Sequence, residues 1–364
     1  MSFGARAFIR LGALNHNLSV IRQQAAHAAI MAVVKANAYG HGLSAVAASL
    51  SDVDSFAVAR LPEASELRAA GIEQPIVLLS GVFSEDELRE ACALRCELVV
   101  HCQAQVELLE ATSGSLAAVW LKVDTGMNRL GFHAGEAGQM IERLRDSPAV
   151  RELRLMTHLA NADNRDDPAT DHQLRSFQEL AGNFPGDISI ANSGGIFGWP
   201  ESVQPSYARQ RVWIRPGIAL YGVSPFLGQI GADLDLQPVM QFESRLVAVN
   251  ALSKGECVGY GGTWSSDRDT VLGIVSAGYG DGYTRDLPSG TPVFVNGRTV
   301  PLAGTVSMDL AAVDLGPDAQ DKVGDAVLLW GEQLPVEEIA RHADELAYQL
   351  VCGVMHREAS DIGI

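Results

Sequence analysis

Short apolar segments alternate with amphipathic segments through the first two thirds of the chain. Continuous apolar runs suit parallel strands covered on both faces, and eight predicted strands lie at residues 30–34, 55–59, 75–79, 97–100, 118–123, 153–157, 188–191 and 212–215. Helical patterns lie before and between them, at residues 14–26, 41–50, 62–70, 84–92, 103–110, 135–145 and 169–180. Eight βα repeats within roughly 230 residues predict a (β/α)8 barrel of the TIM type, in which functional groups gather at the C-terminal ends of the strands.

Beyond residue 228 the pattern changes to apolar runs separated by Gly, Pro and Asp turns. The runs at residues 239–252, 270–276, 292–295, 311–315 and 326–330 predict a mainly β domain, and a last helical pattern spans residues 336–351. The boundary lies within residues 225–238. We therefore expect an α/β plus β architecture, with the barrel over residues 1–230 and a C-terminal β domain over residues 231–364.

Charge and cysteine content exclude several classes of function. The net charge is −17 and no basic tract is present, so nucleic acid and anionic membrane surfaces are poor partners. No stretch has the length and freedom from charge that a membrane span needs, and a cytoplasmic protein is expected. The five cysteines fit reduced thiols. Cys92, Cys96, His101 and Cys102 match no usual zinc spacing, and no metal site is predicted.

The first predicted barrel strand ends at Lys35, within the sequence Ala-Val-Val-Lys-Ala-Asn-Ala-Tyr-Gly-His-Gly. Partial desolvation at a strand end would lower the pKa of the Lys35 amine and allow it to attack a carbonyl. Tyr39 and the two glycines place a phenol and backbone N–H groups nearby, as an anionic ligand requires. The alternative is a plain surface lysine at a strand end.

This segment resembles the cofactor lysine motif of alanine racemases, and further matches extend across nearly the whole chain. The resemblance implies a pyridoxal 5′-phosphate enzyme of fold type III in which Lys35 holds the cofactor covalently. Tyr39 would then contact the cofactor phosphate, with Tyr348 as a second phosphate-contacting tyrosine.

Lys122-Val-Asp-Thr-Gly-Met-Asn-Arg129, at the end of the fifth strand, resembles the arginine loop of the same family. Arg129 carries a planar, permanently charged group suited to the substrate carboxylate or the phenolic oxygen of the cofactor. The resemblance implies that Lys122 can be carbamylated, which would convert a cation into an anion that holds Arg129. A turn with two solvated cations is the alternative.

Three further segments complete the predicted cofactor site. After the sixth strand, His158 could hydrogen-bond both an arginine and a phenol. Asn192 and Ser193 follow the seventh strand, and Arg215-Pro-Gly217-Ile218 follows the eighth, so that the Ser193 hydroxyl and the N–H groups of Gly217 and Ile218 could donate to a phosphate. The resemblance places Arg215 against the pyridine nitrogen, where a permanent cation disfavours protonation of the ring and so favours simple proton exchange at Cα.

In the β domain, Gly-Tyr260-Gly-Gly-Thr-Trp resembles the family loop that supplies a second catalytic phenol. Racemisation needs proton donors on opposite faces of Cα, a role that Lys35 and Tyr260 would share. Positive charge relayed from Arg215 through His158 would favour the Tyr260 phenolate. In this family the phenol comes from the other subunit, which implies a homodimer with two shared active sites. A glycine-flanked aromatic residue in a hairpin is the alternative.

Two more segments resemble the family's substrate entrance. The resemblance implies that the Met308 N–H holds the substrate carboxylate, that Asp309 and Arg285 polarise the entrance, and that Tyr279 narrows it. Thr305 stands where the family commonly has arginine, so a serine or broad-specificity amino-acid racemase remains an alternative to alanine.

The sequence thus predicts a racemase that interconverts L- and D-alanine with Lys35 and Tyr260 as the two bases, acting on a small amino acid and supplying a cell-wall precursor or serving catabolism. A decarboxylase of basic amino acids would want a carboxylate in place of Arg215. A non-catalytic cofactor carrier would leave the β domain unexplained.

Overall fold

The computed structural model describes residues 3–112, 115–208, 211–354 and 361–363. The chain begins with strand β1 (Arg6–Arg10), whose half-buried and buried residues alternate as in a strand with one covered face. Helix α1 (Leu11–Gln24) follows directly and buries Leu14, Leu18 and Ile21 along one side.

Eight parallel strands close a barrel, which confirms the predicted fold class. They are β2 (Ala29–Val33), β3 (Ser55–Val58), β4 (Ile76–Leu78), β5 (Cys96–Val100), β6 (Val119–Asp124), β8 (Leu153–Met156), β9 (Ile188–Ser189) and β10 (Val212–Ile214), with the short β7 (Phe132–His133) paired beside β6. Strand β2 pairs with β3 and β10, and the β5–β6 pairing closes the ring. All eight predicted strands are present, with ends shifted by at most two residues.

Helices cover the barrel strands, as a buried parallel sheet requires. They are α2 (Leu43–Ser49), α3 (Leu61–Ala69), α4 (Glu85–Ala93), α5 (Gln103–Ala111), α6 (Ala134–Asp146), α7 (Ala169–Ala181), α8 (Ser193–Gly198) and α9 (Pro200–Val203), with 3-10 turns at Ile218–Tyr221 and Gly231–Leu234. In the described ranges, no helix has the length and apolar character needed to cross a bilayer.

The C-terminal part forms the predicted β domain. Its strands are β11 (Met240–Leu252), β12 (Cys257–Val258), β13 (Trp264–Ser265), β14 (Thr270–Val275), β15 (Pro292–Val295), β16 (Arg298–Pro301), β17 (Ala311–Gly316), β18 (Ala326–Trp330) and β19 (Asp361–Gly363). The long strand β11 is central, because its first half pairs with β1 and β18 and its second half with β14.

The first strand of the chain therefore belongs to the sheet of the last domain. Residues 6–9 of β1 pair antiparallel with residues 240–243 of β11, and β19 pairs parallel with β1. The proposed division at residue 230 does not separate the two sheets along the sequence. Strand β1 precedes the barrel in the sequence, but it pairs with β11 of the C-terminal domain.

The helical pattern predicted over residues 336–351 forms two helices instead of one. Helix α10 (Val336–Ala343) ends where Asp344 adopts a left-handed conformation with φ 55°, and α11 (Ala347–Gly353) begins three residues later. Aspartate tolerates this conformation because its short polar side chain can hydrogen-bond locally.

A buried cluster of aromatic and charged side chains lies near the N-terminal ends of the barrel strands. The Arg154 guanidinium lies 5.1 Å from the ring centre of Trp120 and 5.2 Å from that of Trp213. Glu97 accepts hydrogen bonds from Arg154 at 3.1 Å and from the Trp120 indole at 2.8 Å. These residues lie on barrel strands away from the C-terminal ends, where side chains stabilise the barrel.

Candidate active site

The C-terminal ends of the barrel strands surround a cavity of about 490 Å³, a volume typical of small-molecule sites. The structure brings together in its wall the predicted residues Lys35, Tyr39, Lys122, Arg129, His158, Asn192, Ser193, Arg215, Gly217, Ile218 and Tyr348. Apolar side chains such as Val33, Leu79 and Met156 complete the lining.

Lys35 opens a left-handed turn that the sequence did not reveal. Ala36, Asn37, Ala38 and Tyr39 all have φ of 52–53°, although none is glycine. A left-handed conformation costs an L-residue roughly 1–2 kcal/mol, so surrounding contacts must hold these four residues in place. The turn therefore stores strain directly beside the amine that is expected to react.

Contacts on both sides hold the turn. The Asn37 side chain accepts from the Leu43 N–H at 2.8 Å. Gly40 ends the turn with φ 79°, and a Cβ at this position would lie 2.2 Å from the Val351 carbonyl oxygen. The Tyr39 ring stacks on Tyr221 with 4.9 Å between ring centres. Glycine is needed at position 40 because the C-terminal helix α11 packs against its bare Cα.

Burial lowers the pKa of the Lys35 amine, and the positive charge of Arg129 lowers it further. Glu63 and Cys352 act in the opposite direction. A lowered pKa increases the neutral, nucleophilic fraction of the amine near neutral pH.

Ser193 and Gly217 form the part of the cavity expected to hold phosphate. The Ser193 oxygen accepts from the N–H groups of Gly217 at 3.0 Å and Ala219 at 3.3 Å, which leaves the hydroxyl hydrogen to be donated to an anion. A Cβ on Gly217 would lie 2.6 Å from the Tyr39 hydroxyl. Asn192 has a supporting position, because its side chain caps helix α8 through the Gly195 N–H and donates to the Leu159 carbonyl.

Arg215 is buried beneath the cavity and is fixed by several acceptors. It donates to the Ser189 hydroxyl at 2.5 Å, to the Thr157 carbonyl at 2.6 Å and to the Ile190 carbonyl at 3.1 Å. Burial lowers the pKa of Arg215 to about 10, which still leaves the guanidinium charged at neutral pH. Its position is therefore set before any ligand binds.

His158 lies beside Arg215, with 3.3 Å between Nδ1 and the guanidinium nitrogen. Desolvation lowers the pKa of His158 well below its usual value, and the positive charge of Arg215 acts in the same direction. Arginine can only donate, so Nδ1 of the neutral ring must accept and Nε2 carries the hydrogen. The histidine can thus donate to a second group, as the predicted relay to a phenol requires.

Lys122 and Arg129 also line the cavity. Burial lowers the pKa of Lys122 to about 8, with further lowering by Arg215 and Arg129 and partial compensation by Asp124. The Asp124 carboxylate accepts from the N–H groups of Gly126 and Asn128, both at 3.0 Å, and so shapes the arginine loop. Asn128 adopts a left-handed conformation with φ 54°, which asparagine tolerates.

Tyr260 lies on the β domain, in a 3-10 turn (Tyr260–Gly262) between β12 and β13, and is 69% exposed. Tyr279 and Met308 are also exposed and lie on neighbouring loops, since the Tyr279 N–H donates to the Ser307 carbonyl and Thr263 contacts Thr305 at 3.2 Å. Arg285 joins them by donating to the Val306 carbonyl, and Asp309 follows Met308. In the described part of the chain, the lining of the Lys35 cavity includes none of these residues.

Three supporting residues were not identified from the sequence. Gln173 bridges two loops by accepting from the Ala160 N–H and donating to the His158 carbonyl and the Thr125 hydroxyl. Tyr221 donates to the Val33 carbonyl at 3.1 Å beneath Tyr39. Glu63 accepts from backbone N–H groups beside Lys35. A polar residue on the apolar face of α7 was the available signal for Gln173, and glutamate in the first turn of α3 was the signal for Glu63.

Two family models match the chain. The model described as "Alanine racemase, N-terminal domain" matches residues 9–225, and the one described as "Alanine racemase, C-terminal domain" matches residues 239–361. The first match takes in the barrel cavity, and the second takes in the hairpin that carries Tyr260.

Known proteins are similar over nearly their whole length. The alanine racemase of Vibrio parahaemolyticus is 49% identical over 349 residues, which are 95% of this chain and 96% of that protein. The crystal structure of biosynthetic alanine racemase from Pseudomonas aeruginosa superposes with a TM-score of 0.94 at 41% identity over 100% of both chains. An alanine racemase from Bartonella henselae with covalently bound pyridoxal phosphate superposes with a TM-score of 0.85 at 29% identity, over 96% of this chain and 97% of that one.

Proposed function

This chain belongs to the alanine racemase family, and from this premise we propose that it interconverts L- and D-alanine with Lys35 and Tyr260 as the two bases. One of them would remove the Cα proton and the other would supply a proton on the opposite face. The observation that carries the proposal is the cavity that holds Lys35, Arg129, Arg215 and Ser193 together at the ends of the barrel strands. The named relatives favour alanine racemisation over a decarboxylase or a cofactor carrier.

The cavity fits pyridoxal 5′-phosphate. The absence of a Cβ at Gly217 lets the Tyr39 hydroxyl lie close to the glycine backbone at the expected phosphate end, and the Ser193 hydroxyl retains a hydrogen to donate. Lys35 would hold the cofactor covalently, with Tyr39, Ser193, Gly217, Ile218 and Tyr348 at its phosphate, supported by Asn192. When bound, the cofactor withdraws electrons from Cα of the substrate and makes the Cα proton acidic.

The chain's own residues would then orient the amino acid and restrict the reaction. Arg129 would bind an anionic oxygen through its planar fork, and Met308 from a second copy of the chain would add a backbone N–H to the substrate carboxylate. Arg215 cannot accept a proton, so it would limit reactions that need a protonated ring and leave simple proton exchange. His158 would donate from Nε2 toward Tyr260 while accepting from Arg215, which favours the phenolate.

We further propose that Tyr260 acts in the cavity of a second copy of the chain. The phenol is 69% exposed in a single chain, and exposed Tyr279, Met308 and Leu310 lie in the same domain. A patch of exposed large apolar side chains around a would-be catalytic group is typical of a surface that a partner covers. In a twofold dimer each barrel would receive the Tyr260 face of its partner, with Asp309, Arg285 and Tyr279 at the entrance.

Carbamylation of Lys122 is part of the proposal. The neutral amine attacks the carbon of carbon dioxide, so that an N–C bond forms, one C–O π bond breaks onto oxygen and one proton passes from nitrogen to water, and the product carries a negative charge. With a pKa of about 8, an appreciable part of the Lys122 amine is neutral near neutral pH. The resulting anion would lie among Arg129 and Arg215, which act on Lys122 electrostatically.

Subunit complementation tests the shared site. Lys35→Ala and Tyr260→Phe should each be nearly inactive as pure proteins. After dissociation and random mixing, half of the dimers carry one variant of each kind, and one of their two sites would contain both wild-type residues, so about a quarter of wild-type activity should return. A mixture that stays inactive, although the subunits exchange, would show that both residues act within one chain.

Proton exchange tests the two bases. The enantiomers have equal free energy in solution, so the kcat/KM values for the two directions must fall together in any variant. Release of the Cα proton into deuterated water does not have this constraint. Tyr260→Phe should slow exchange from one enantiomer far more than from the other, whereas Tyr279→Phe, on the same surface, should slow both alike. Equal losses in Tyr260→Phe would contradict the two-base assignment.

Chiral chromatography against a panel of L-amino acids, with and without added pyridoxal phosphate, tests the side-chain preference. We expect alanine to be racemised fastest. Faster turnover of serine would indicate that the substrate preference has changed at the entrance loop, where Thr305 stands in place of the family's common arginine.

A further inference from the structure

Glu63 is an acidic residue that the proposed mechanism does not use, although it lies directly behind Lys35. It stands in the first turn of helix α3 and is half-buried. One carboxylate oxygen accepts from the Ala36 N–H at 2.7 Å. The other accepts from the N–H groups of Ala59 at 2.8 Å and Arg60 at 3.0 Å. One carboxylate therefore joins the loop after β2 to the loop after β3.

These contacts act on the four consecutive left-handed residues that follow Lys35. Ala36 is the first left-handed residue after Lys35, with φ 53°, and its side chain is exposed, so packing of its methyl group does not hold it. Hydrogen bonds to an ionised acceptor are shorter and stronger than neutral ones. The Glu63 contact to the Ala36 N–H is the shortest of the three, which fits a restraint on the start of the turn.

The charge of Glu63 also reaches the Lys35 amine. Arg129 lowers the pKa of that amine, whereas Glu63 and Cys352 raise it. Lys122 on β6 and His158 after β8 also interact electrostatically with Lys35. Removal of the Glu63 charge would therefore leave mainly cationic neighbours around the amine, an effect that a loss of packing alone would not produce.

We propose that Glu63 is a positioning residue for Lys35, which fixes the left-handed turn through the Ala36 N–H and so holds the lysine amine toward the cofactor. This inference rests on the proposed function, because only a reaction at Lys35 makes its orientation matter.

Glu63→Gln and Glu66→Gln form a matched pair of variants. Both remove one negative charge from α3, and Glu66 is exposed and contacts the Ser44 hydroxyl instead of the Lys35 turn. In Glu63→Gln the amide NH2 group must face a backbone N–H that it cannot accept from. Pyridoxal phosphate titrated into the apoprotein, followed by the visible absorbance of the lysine-bound cofactor and by borohydride trapping, should bind at least about tenfold more weakly to Glu63→Gln. Glu66→Gln should bind as the wild type does.

Two further measurements distinguish positioning from a general loss of structure. Ala36→Gly relieves the steric cost of the left-handed conformation at the first residue of the turn. The loss of cofactor affinity caused by Glu63→Gln should therefore be at least about threefold smaller in the Ala36→Gly background. The pH profile of Lys35 labelling in the apoprotein should move to lower pH in Glu63→Gln and stay in place in Glu66→Gln. Glu63→Asp, which keeps the charge and retracts the carboxylate, replaces the glutamine variant if that variant yields too little folded protein. It should bind the cofactor more weakly than the wild type, without the same movement of the pH profile.

Equal cofactor binding in Glu63→Gln and Glu66→Gln would overturn the inference, while trapping at Lys35 in the wild type would leave the proposed function standing. A binding deficit that Ala36→Gly does not reduce, with an unmoved pH profile, would also overturn it. Absence of trapping at Lys35 in the wild type would refute the proposed function itself, and this inference with it.

Discussion

Gly217→Ala is expected to weaken cofactor binding without preventing the fold. The added Cβ would lie 2.6 Å from the Tyr39 hydroxyl and 3.3 Å from the ring carbon that carries it. Ordinary contact begins near 3.4 Å, so the phenol must move by about 0.8 Å, and its stacking on Tyr221 restricts that movement. Overpacking of this kind costs about 1–3 kcal/mol, and the part that the free protein can relax but the bound state cannot weakens binding, by up to about 150-fold.

A double-mutant cycle isolates the steric cause. The apparent Kd of pyridoxal phosphate is measured by absorbance titration of the apoproteins for wild type, Gly217→Ala, Tyr39→Phe and the double variant. Tyr39→Phe removes the atom that the new Cβ would meet, so the additional cost of Gly217→Ala should fall to about threefold or less in that background.

Gly12→Ala is the control, because a Cβ at position 12 would meet nothing within 4 Å. It should leave cofactor affinity unchanged and stabilise helix α1 slightly, since alanine is the better helix former. Wild-type affinity in Gly217→Ala, or the same cost with and without the Tyr39 hydroxyl, would refute the reasoning.

Three other predictions concern charge and support. Lys122 should react with an acylating reagent in the apoprotein with a midpoint near pH 8, because burial lowers its pKa to about 8; competitive labelling with peptide mass spectrometry measures the midpoint. Arg154→Ala should lower the free energy of unfolding by about 3–5 kcal/mol in chemical denaturation, because it leaves the buried Glu97 carboxylate without its cation. Gln173→Ala should lower the same quantity by about 1–3 kcal/mol, because it leaves buried backbone groups unpaired, and it should slow alanine racemisation in both directions as His158 and the arginine loop lose their bridge.

Control variants set the scale for these changes. Arg89→Ala breaks an ion pair between side chains that are 73% and 83% exposed and should cost no more than about 1 kcal/mol. Gln178→Ala, on the exposed face of the same helix as Gln173, should stay within about 0.5 kcal/mol of the wild type. Losses as large as those in the buried variants would contradict the assigned roles, and so would a Lys122 midpoint near the ordinary lysine value.

The barrel could be predicted from sequence because its strands are buried on both faces, so each appears as a short continuous apolar run. Strand β1 could not be recognised in this way, because it has only one covered face and its partner lies more than 200 residues away. The break at Asp344 was missed because the helical pattern continues on both sides of it, and one residue with positive φ leaves no periodic signal.

The site could be predicted where a residue type carries its own chemistry. Lys35 and Arg129 were predicted as site residues from their places at strand ends, whereas the role of Arg215 came from the family resemblance; all three line one cavity. The left-handed turn and the contacts of Gln173 could not be predicted, because they depend on hydrogen bonds between segments far apart in sequence.

The pairing of β1 with β11 leaves β1 without its partner strand during most of the synthesis of the chain. Residues 6–10 are synthesised before the barrel, yet the strand that pairs with their backbone groups is made only after the whole barrel. A nascent chain therefore carries an unsatisfied sheet edge through most of its synthesis, and such edges promote association between chains. Fragments cut at the end of the barrel should accordingly aggregate more readily when they retain these residues than when they begin after them.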